Sequence, residues 1–351
     1  MNPYVPYEAL EAKIATKKER LLDQKKFRSL LNCTSIEKMT EILLREYPFR
    51  DILAGQDKQS IHRDTLETLF YQYSVSEQED ILHYFSGPYR EFLKTFLMEF
   101  EIYDLLLILR KISMGESAKD IQGHFIHSTR HSVLPYAELM ESRTISQFIE
   151  NLKGTPYFSI LKTTADSDHA NLDFQVEAKL QFLLYTTLFR KAQKLSDTDT
   201  AIAEALIGLK IDCLNVQWIF RAQKHYHFSP EQLLIHSLPG GYNMGLKRLK
   251  MLCYAESITE TKRLTNRFFN SSIFEENDDM SLERNLHEYI YKNVTARRYR
   301  NSLGTAVSYI YLLEILMKEF IVATEAIRYK VPKASIGKYL IRPMGTEGVS
   351  E

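Results

Sequence analysis

Apolar residues fall three and four apart over most of the chain, the spacing that lines one side of an α-helix. Tyr7, Leu10, Ile14, Leu21 and Leu22 set this rhythm among Lys13, Lys17, Lys18 and Arg20, and predict a basic amphipathic helix over 7–31. The acids Glu8, Glu11 and Glu19 in the same stretch favour packing on a partner helix over binding a membrane surface. Thr34-Ser35-Ile36-Glu37 predicts the capped start of a second helix, which ends near Tyr47-Pro48. Helical rhythm then covers 61–73, 77–86 and 89–112, interrupted at Gly87-Pro88 and closed by Met114-Gly115-Glu116.

The same order of events restarts twice. Thr144-Ile145-Ser146-Gln147 opens a helix that stops at Gly154-Thr155-Pro156-Tyr157. A long helix carrying Phe174, Val176, Leu180, Leu183 and Leu184 follows, and then another over Asp197–Lys224. Leu238-Pro239-Gly240-Gly241 is the strongest loop signal and reads as a unit boundary. A third round opens at Ser257-Ile258-Thr259-Glu260 and closes with a long helix over Ser302–Lys330.

Within these rounds one helical phrase recurs. Glu101-Ile102-Tyr103-Asp104 runs on to Arg110, and Asp212-Cys213-Leu214-Asn215 runs on to Arg221. In each, an acid is followed three positions on by Asp or Asn, seven on by Ile and nine on by Arg. Positions i, i+3 and i+7 share one helix face, so the polar pair and the Ile form a stripe and the Arg lies opposite. The remaining positions are mostly large and apolar, which predicts helices buried nearly all round. The third copy is degraded; the best register sets Glu319 opposite Asp104 and Asn215. Thirds of about 110 residues exceed the common solenoid repeats and read as three small helical modules. Their bounds are 1–130, 131–241 and 242–342, with a tail over 343–351.

Composition agrees with an all-α fold. Gly (13) and Pro (10) are scarce in 351 residues, while Tyr (21) and Phe (19) are abundant and suit packing between helices. Lys plus Arg and Asp plus Glu are 45 each. This balance argues against a nucleic-acid binder driven by phosphate contacts. Cys33, Cys213 and Cys253 are far apart and fit a reducing compartment. Met1-Asn2-Pro3-Tyr4-Val5-Pro6 has no signal-peptide pattern. Apolar runs are broken by charge, as at Glu314 within Val307–Met317, short of the ~20 residues of a membrane span. A soluble protein is expected.

Candidate chemistry is sparse. There is no phosphate loop, no G-x-G-x-x-G and no G-x-S-x-G. His124, His127 and His131, and the pair His225 and His227, lack completing ligands and read as loop or helix-end histidines. Glu101 and Asp104 resemble paired catalytic carboxylates, but the second copy, Asp212 and Asn215, has lost one acid. Trp218 reads as core, with a partner anchor as the alternative.

The stretch from Lys210 to Tyr226 closely resembles the K-x-D-x-x-N-x-x-x-I-x-R-x-x-K-x-Y region of the C subunit of bacterial and archaeal A/V-type (V-type) ATPases, the family that includes the d subunit of eukaryotic vacuolar ATPases. Glu101 to Arg110 resembles that family's first-module helix. Lys153-Gly154-Thr155-Pro156-Tyr157 is similar to its second-module turn, and Glu325-Ala326-Ile327-Arg328-Tyr329 to its closing helix. The equivalent turns at Arg45-Glu46-Tyr47-Pro48 and Asn266-Arg267-Phe268-Phe269 depart from the G-T-x-Y form.

The resemblance implies three similar helical subdomains in a pseudo-threefold funnel. It implies a non-catalytic rotor adaptor, on the cytoplasmic face of the membrane, that joins the D–F shaft to the proteolipid c-ring and passes torque for ion transport. Such an adaptor holds no nucleotide, ion or other cofactor and has no membrane span. Glu101, Asp104, Asp212 and Asn215 are expected to line the funnel interior and either fix adjacent helix ends or meet the shaft, the alternative being that they only pin loops inside each module. Arg110, Arg221 and Lys224 are the expected charged contacts to other helices or subunits. The alternative is a helical scaffold unrelated to rotary ATPases.

Overall fold

The computed structural model describes residues 7–21, 24–46, 49–53, 61, 63–164, 172–226, 228–275, 279–296 and 302–342. Met1–Pro6, the helix end at Tyr47-Pro48, His227 and the tail 343–351 lie outside them. The described residues form helices and turns with no strand element, the all-α class that composition predicts.

In chain order, the first helices are α1 (Tyr7–Leu21), α2 (Gln24–Leu31), α3 (Ile36–Leu43), α4 (Phe49–Ile52) and α5 (Arg63–Leu82). Next come α6 (Gly87–Lys94), α7 (Met98–Ser113), α8 (Tyr136–Glu141), α9 (Ile145–Asn151), α10 (Pro156–Leu161), α11 (Leu172–Ala192), α12 (Asp197–Arg221), α13 (Pro230–His236), α14 (Leu246–Cys253) and α15 (Ile258–Phe269). The chain ends with α16 (Leu282–Ala296), α17 (Ser302–Arg328) and α18 (Lys333–Ile336). It packs as two compact units, Met1–Tyr84 with Ile273–Glu351, and Phe85–Ser272. Packing and sequence periodicity thus divide the chain differently.

The first unit is built on α17, which packs against α1, α2, α3, α5 and α16. Phe320 sits in an aromatic cluster, its ring centroid 4.8 Å from Phe70, 4.9 Å from Phe49 and 5.7 Å from Phe27. α5 is one continuous helix where the polar stretch after Tyr73 predicts two, because Ser74, Val75 and Glu77 are buried and packing overrides propensity. Glu77 tolerates burial because Lys17 Nζ donates to both its oxygens at 2.7 Å and the Tyr309 hydroxyl donates at 2.8 Å.

The second unit is organised by α11, which packs on α6, α7, α10, α12 and α13. Trp218 is a core residue, 4% exposed, with Phe174 edge-on to its ring. α12 ends in one π-helical turn, Ala222–Tyr226, which the Thr261 hydroxyl ties to α15 through the Gln223 side-chain oxygen at 2.8 Å.

The three expected openings are all side-chain caps. Ser35 accepts from the Lys38 amide, Thr144 from Gln147 and Ser257 from Glu260, each with extended backbone at the cap. They lie about 110 residues apart.

Candidate functional site

Three polar residues of the recurring phrase, Asp104, Asp212 and Asn215, fix loops. Three helices, α7, α12 and α17, each carry a buried acid or amide that hydrogen-bonds the main chain 22 or 23 residues further on. These residues are Asp104 on α7, Asn215 on α12 and Glu319 on α17. Their side chains take bonds that water would otherwise supply to loop amides, which must be satisfied once buried.

Asp104 is 0% exposed. Its Oδ1 accepts from the Ile126 amide at 3.0 Å, and its Oδ2 accepts from the His127 amide at 3.0 Å and lies 2.7 Å from His127 Nδ1. The Tyr136 ring stacks on the His127 imidazole, 3.8 Å away and 10° from parallel. Burial raises the Asp104 carboxyl above its usual range, opposed by the His127 hydrogen bond and the loop amides.

The second site is more elaborate. Gly208, Asp212 and Asn215 stand at i, i+4 and i+7 along α12, one stripe on one face. Asn215 Nδ2 donates to the Leu238 carbonyl and its Oδ1 accepts from the Leu238 amide, both at 2.8 Å. Asp212 accepts from the Asn243 amide through Oδ2 and from the Met244 amide through Oδ1 at 3.1 Å. The Gly208 carbonyl accepts from the Tyr242 amide at 3.2 Å. The loop Leu238–Met244 lies so close to α12 that a Cβ on Gly208 would stand 2.8 Å from the Tyr242 nitrogen, and one on Gly241 2.1 Å from Asp212 Oδ1. Leu238-Pro239-Gly240-Gly241 belongs to a loop strapped to α12 through Asn215.

At the third site Glu319, 1% exposed, accepts from the Arg342 amide at 2.7 Å and from Arg342 Nε. The Arg342 guanidinium lies 5.1 Å from the Phe27 ring centroid.

Burial lifts the Asp212 carboxyl from 3.8 to about 6, against the pull of the Asn243 and Met244 amides. As pH falls, the folded protein takes up this proton before the unfolded chain does. The stability held by this group is therefore greatest below pH 4 and is lost as pH rises through about 6. Asp212→Asn removes this dependence. Between pH 4.5 and 7 the stability of the wild type relative to Asp212→Asn should fall by about 2 kcal/mol, read by urea unfolding at each pH. A difference that is flat, or that grows with pH, contradicts this reading.

The other sequence candidates are placed differently. Glu101 is half-buried, accepts from the Tyr157 hydroxyl, and lines a cleft with Lys94, His131 and Lys191. Burial and the Glu101 charge push the Tyr157 phenol up, so it stays a donor. Glu101 and Asp104 do not converge, since one faces this cleft and the other the loop amides, and no paired-carboxylate site is assembled. Arg110 and Lys224 are exposed and Arg221 is partly exposed; Lys224 Nζ lies 5.4 Å from the Phe220 ring centroid. Among the described residues no His, Cys, Asp and Glu cluster of three suits a metal ion.

Gly208 and Arg342 are components that sequence reading did not single out, and His127 stood there only as a loop histidine. The signals available were the glycine one turn before Asp212 and the constant offset from anchor to loop.

Comparison with known proteins supplies the family. Residues 10–339 match the ATP synthase (C/AC39) subunit family model. The A-type ATP synthase C subunit of Methanosarcina mazei is 22% identical over 257 residues, 73% of this chain and 70% of that protein. The C subunit of Thermococcus onnurineus is 22% identical over 320 residues, 88% of this chain and 82% of that protein. The C subunit of the Desulfurococcus strain SY is 22% identical over 322 residues, covering 88% and 83%. With its capped and loop-pinned helices matched almost from end to end, this chain belongs to the ATP synthase (C/AC39) subunit family, that of the C and d subunits of A/V-type rotary ATPases.

Proposed function

We propose that the chain is the central-stalk adaptor of a rotary A/V-type ATPase. It receives the D–F shaft, rests on the proteolipid c-ring at the cytoplasmic face of the membrane, and passes torque between them without holding nucleotide or ion. The observation that carries this reading is family membership over residues 10–339. Physical support comes from the pinned loops. Torque is transmitted only by a body whose parts do not yield, and α7, α12 and α17 are each tied to a distant loop by buried polar bonds that resist local opening. No helix among the described residues is long and apolar enough to cross a membrane, so contact with the ring falls to surface residues.

In this reading the chain consists of three modules, each opened by a capped helix and closed by a long helix with its anchor. Asp104, Asp212 and Asn215 act on partners indirectly, by setting loop positions. Glu101 on its cleft, and Arg110, Arg221 and Lys224 at helix ends, are the candidates for direct contact. Native mass spectrometry of the purified chain with the D–F pair of its source tests the proposal. A 1:1:1 complex that survives moderate salt is expected. No complex, with every component shown to be folded, overturns it.

A further inference from the structure

The sequence from Ser237 to Ala255 contains no Asp or Glu, in a protein whose 45 acids fall about one in every eight residues. It carries Lys247, Arg248 and Lys250, all on α14. That helix buries only Leu249, Leu252 and Cys253, which at 100° per residue occupy about a 100° arc. The open arc presents Leu246 (69% exposed), Met251 (42%) and, just past the helix, Tyr254 (48%). Lys247 and Lys250 are exposed among them. Leu246, Lys250 and Tyr254 form one i, i+4, i+8 row, and Lys247 and Met251 form the next. Ile235, 76% exposed, is a further open apolar residue on α13, which packs beside α14.

This face is built on buried support. The Asp212 carboxylate holds the amides of Asn243 and Met244, so the start of α14 is located from α12. Arg248 turns back into that support, donating to the Asn243 carbonyl at 2.9 Å with its guanidinium 5.4 Å from the Phe268 ring centroid. At the far end the Tyr254 hydroxyl donates to Glu231 at 2.9 Å, which fixes the ring.

Resting on the reading of the chain as one part of a larger assembly, we propose that the α14 face docks an acidic amphipathic helix of another protein subunit. Its carboxylates meet Lys247 and Lys250, and its apolar residues cover Leu246, Met251 and Ile235. Two adjacent rows, each with side chains one helical turn apart, are the relief into which a partner helix packs. Two exposed cations on a helix that carries no acid select a partner of opposite charge. A lipid surface fits less well, because a helix lying in a bilayer interface separates its apolar stripe from its cations, whereas here the two alternate within each row.

The test places a photoreactive benzoylphenylalanine at Leu246 in the intact ATP synthase complex and identifies the cross-linked species by mass spectrometry. The expected product is a peptide from one other protein of the complex, with Asp or Glu at i, i+3 or i+4 spacing. Its yield should fall at least tenfold with Lys247→Glu and Lys250→Glu together, while the thermal midpoint of the purified chain is unchanged. Cross-links only to lipid, to a peptide without acids, or in a yield indifferent to the charge reversal overturn the docking proposal alone. If the chain does not co-purify with the complex, both this proposal and the adaptor reading fall.

Discussion

Glu319→Ala should destabilise the protein by about 3–5 kcal/mol, because it removes one partner of a buried ion pair. Arg342 is 5% exposed, and Glu319 supplies acceptors to both its amide and its Nε. Removing the carboxylate takes the Glu319 charge from the guanidinium beside the Phe27 ring and an acceptor from the buried Arg342 amide. The comparison that isolates this cause is the double replacement Glu319→Leu with Arg342→Met. It removes both charges while keeping volume, and should lie within about 1–2 kcal/mol of the wild type. Urea unfolding of the three proteins decides the matter. A single replacement as mild as the double one would show that the pair is not the anchor of the third long helix.

Gly241→Ala is expected to cost about 3 kcal/mol or more. The added Cβ would stand 2.1 Å from Asp212 Oδ1 and 2.9 Å from the Met244 carbonyl, closer than atoms approach without something moving. Either the carboxylate leaves the Asn243 and Met244 amides or the loop lifts from α12; both abandon charge-assisted hydrogen bonds in a buried place. Gly245, the residue that caps α14 just after this loop, is the control. Its backbone is in an ordinary extended conformation and a Cβ there meets nothing within 4 Å, so Gly245→Ala should stay within about 0.5 kcal/mol. Equal effects at the two positions would mean that the close approach of loop to helix is not what makes Gly241 necessary.

Much of the fold was legible because it is written in side chains. The openings at Ser35, Thr144 and Ser257 announce themselves by residue type, and each caps its helix. The phrase around Asp104 and Asn215 stood out because polar residues on otherwise apolar helices need partners. The identity of those partners was not legible, since Asp104, Asp212 and Asn215 bond mainly to backbone amides, which every residue but proline possesses. Glu319 was placed in register by spacing alone; its exchange of Asp or Asn for a longer acid is matched by Arg342, whose side chain adds an ion pair to the amide contact. The continuity of α5 through Ser74 and the π turn after Arg221 follow from burial and from the tie to Thr261, neither of which periodicity records.

The central claim, that the chain couples shaft to ring, is tested most directly in vesicles containing the rotary complex prepared with and without it, measuring ATP hydrolysis and ATP-driven ion uptake together. The adaptor reading predicts that without the chain hydrolysis continues while ion uptake falls to background, and that adding the purified chain restores uptake. Ion uptake that is unchanged in its absence would contradict it.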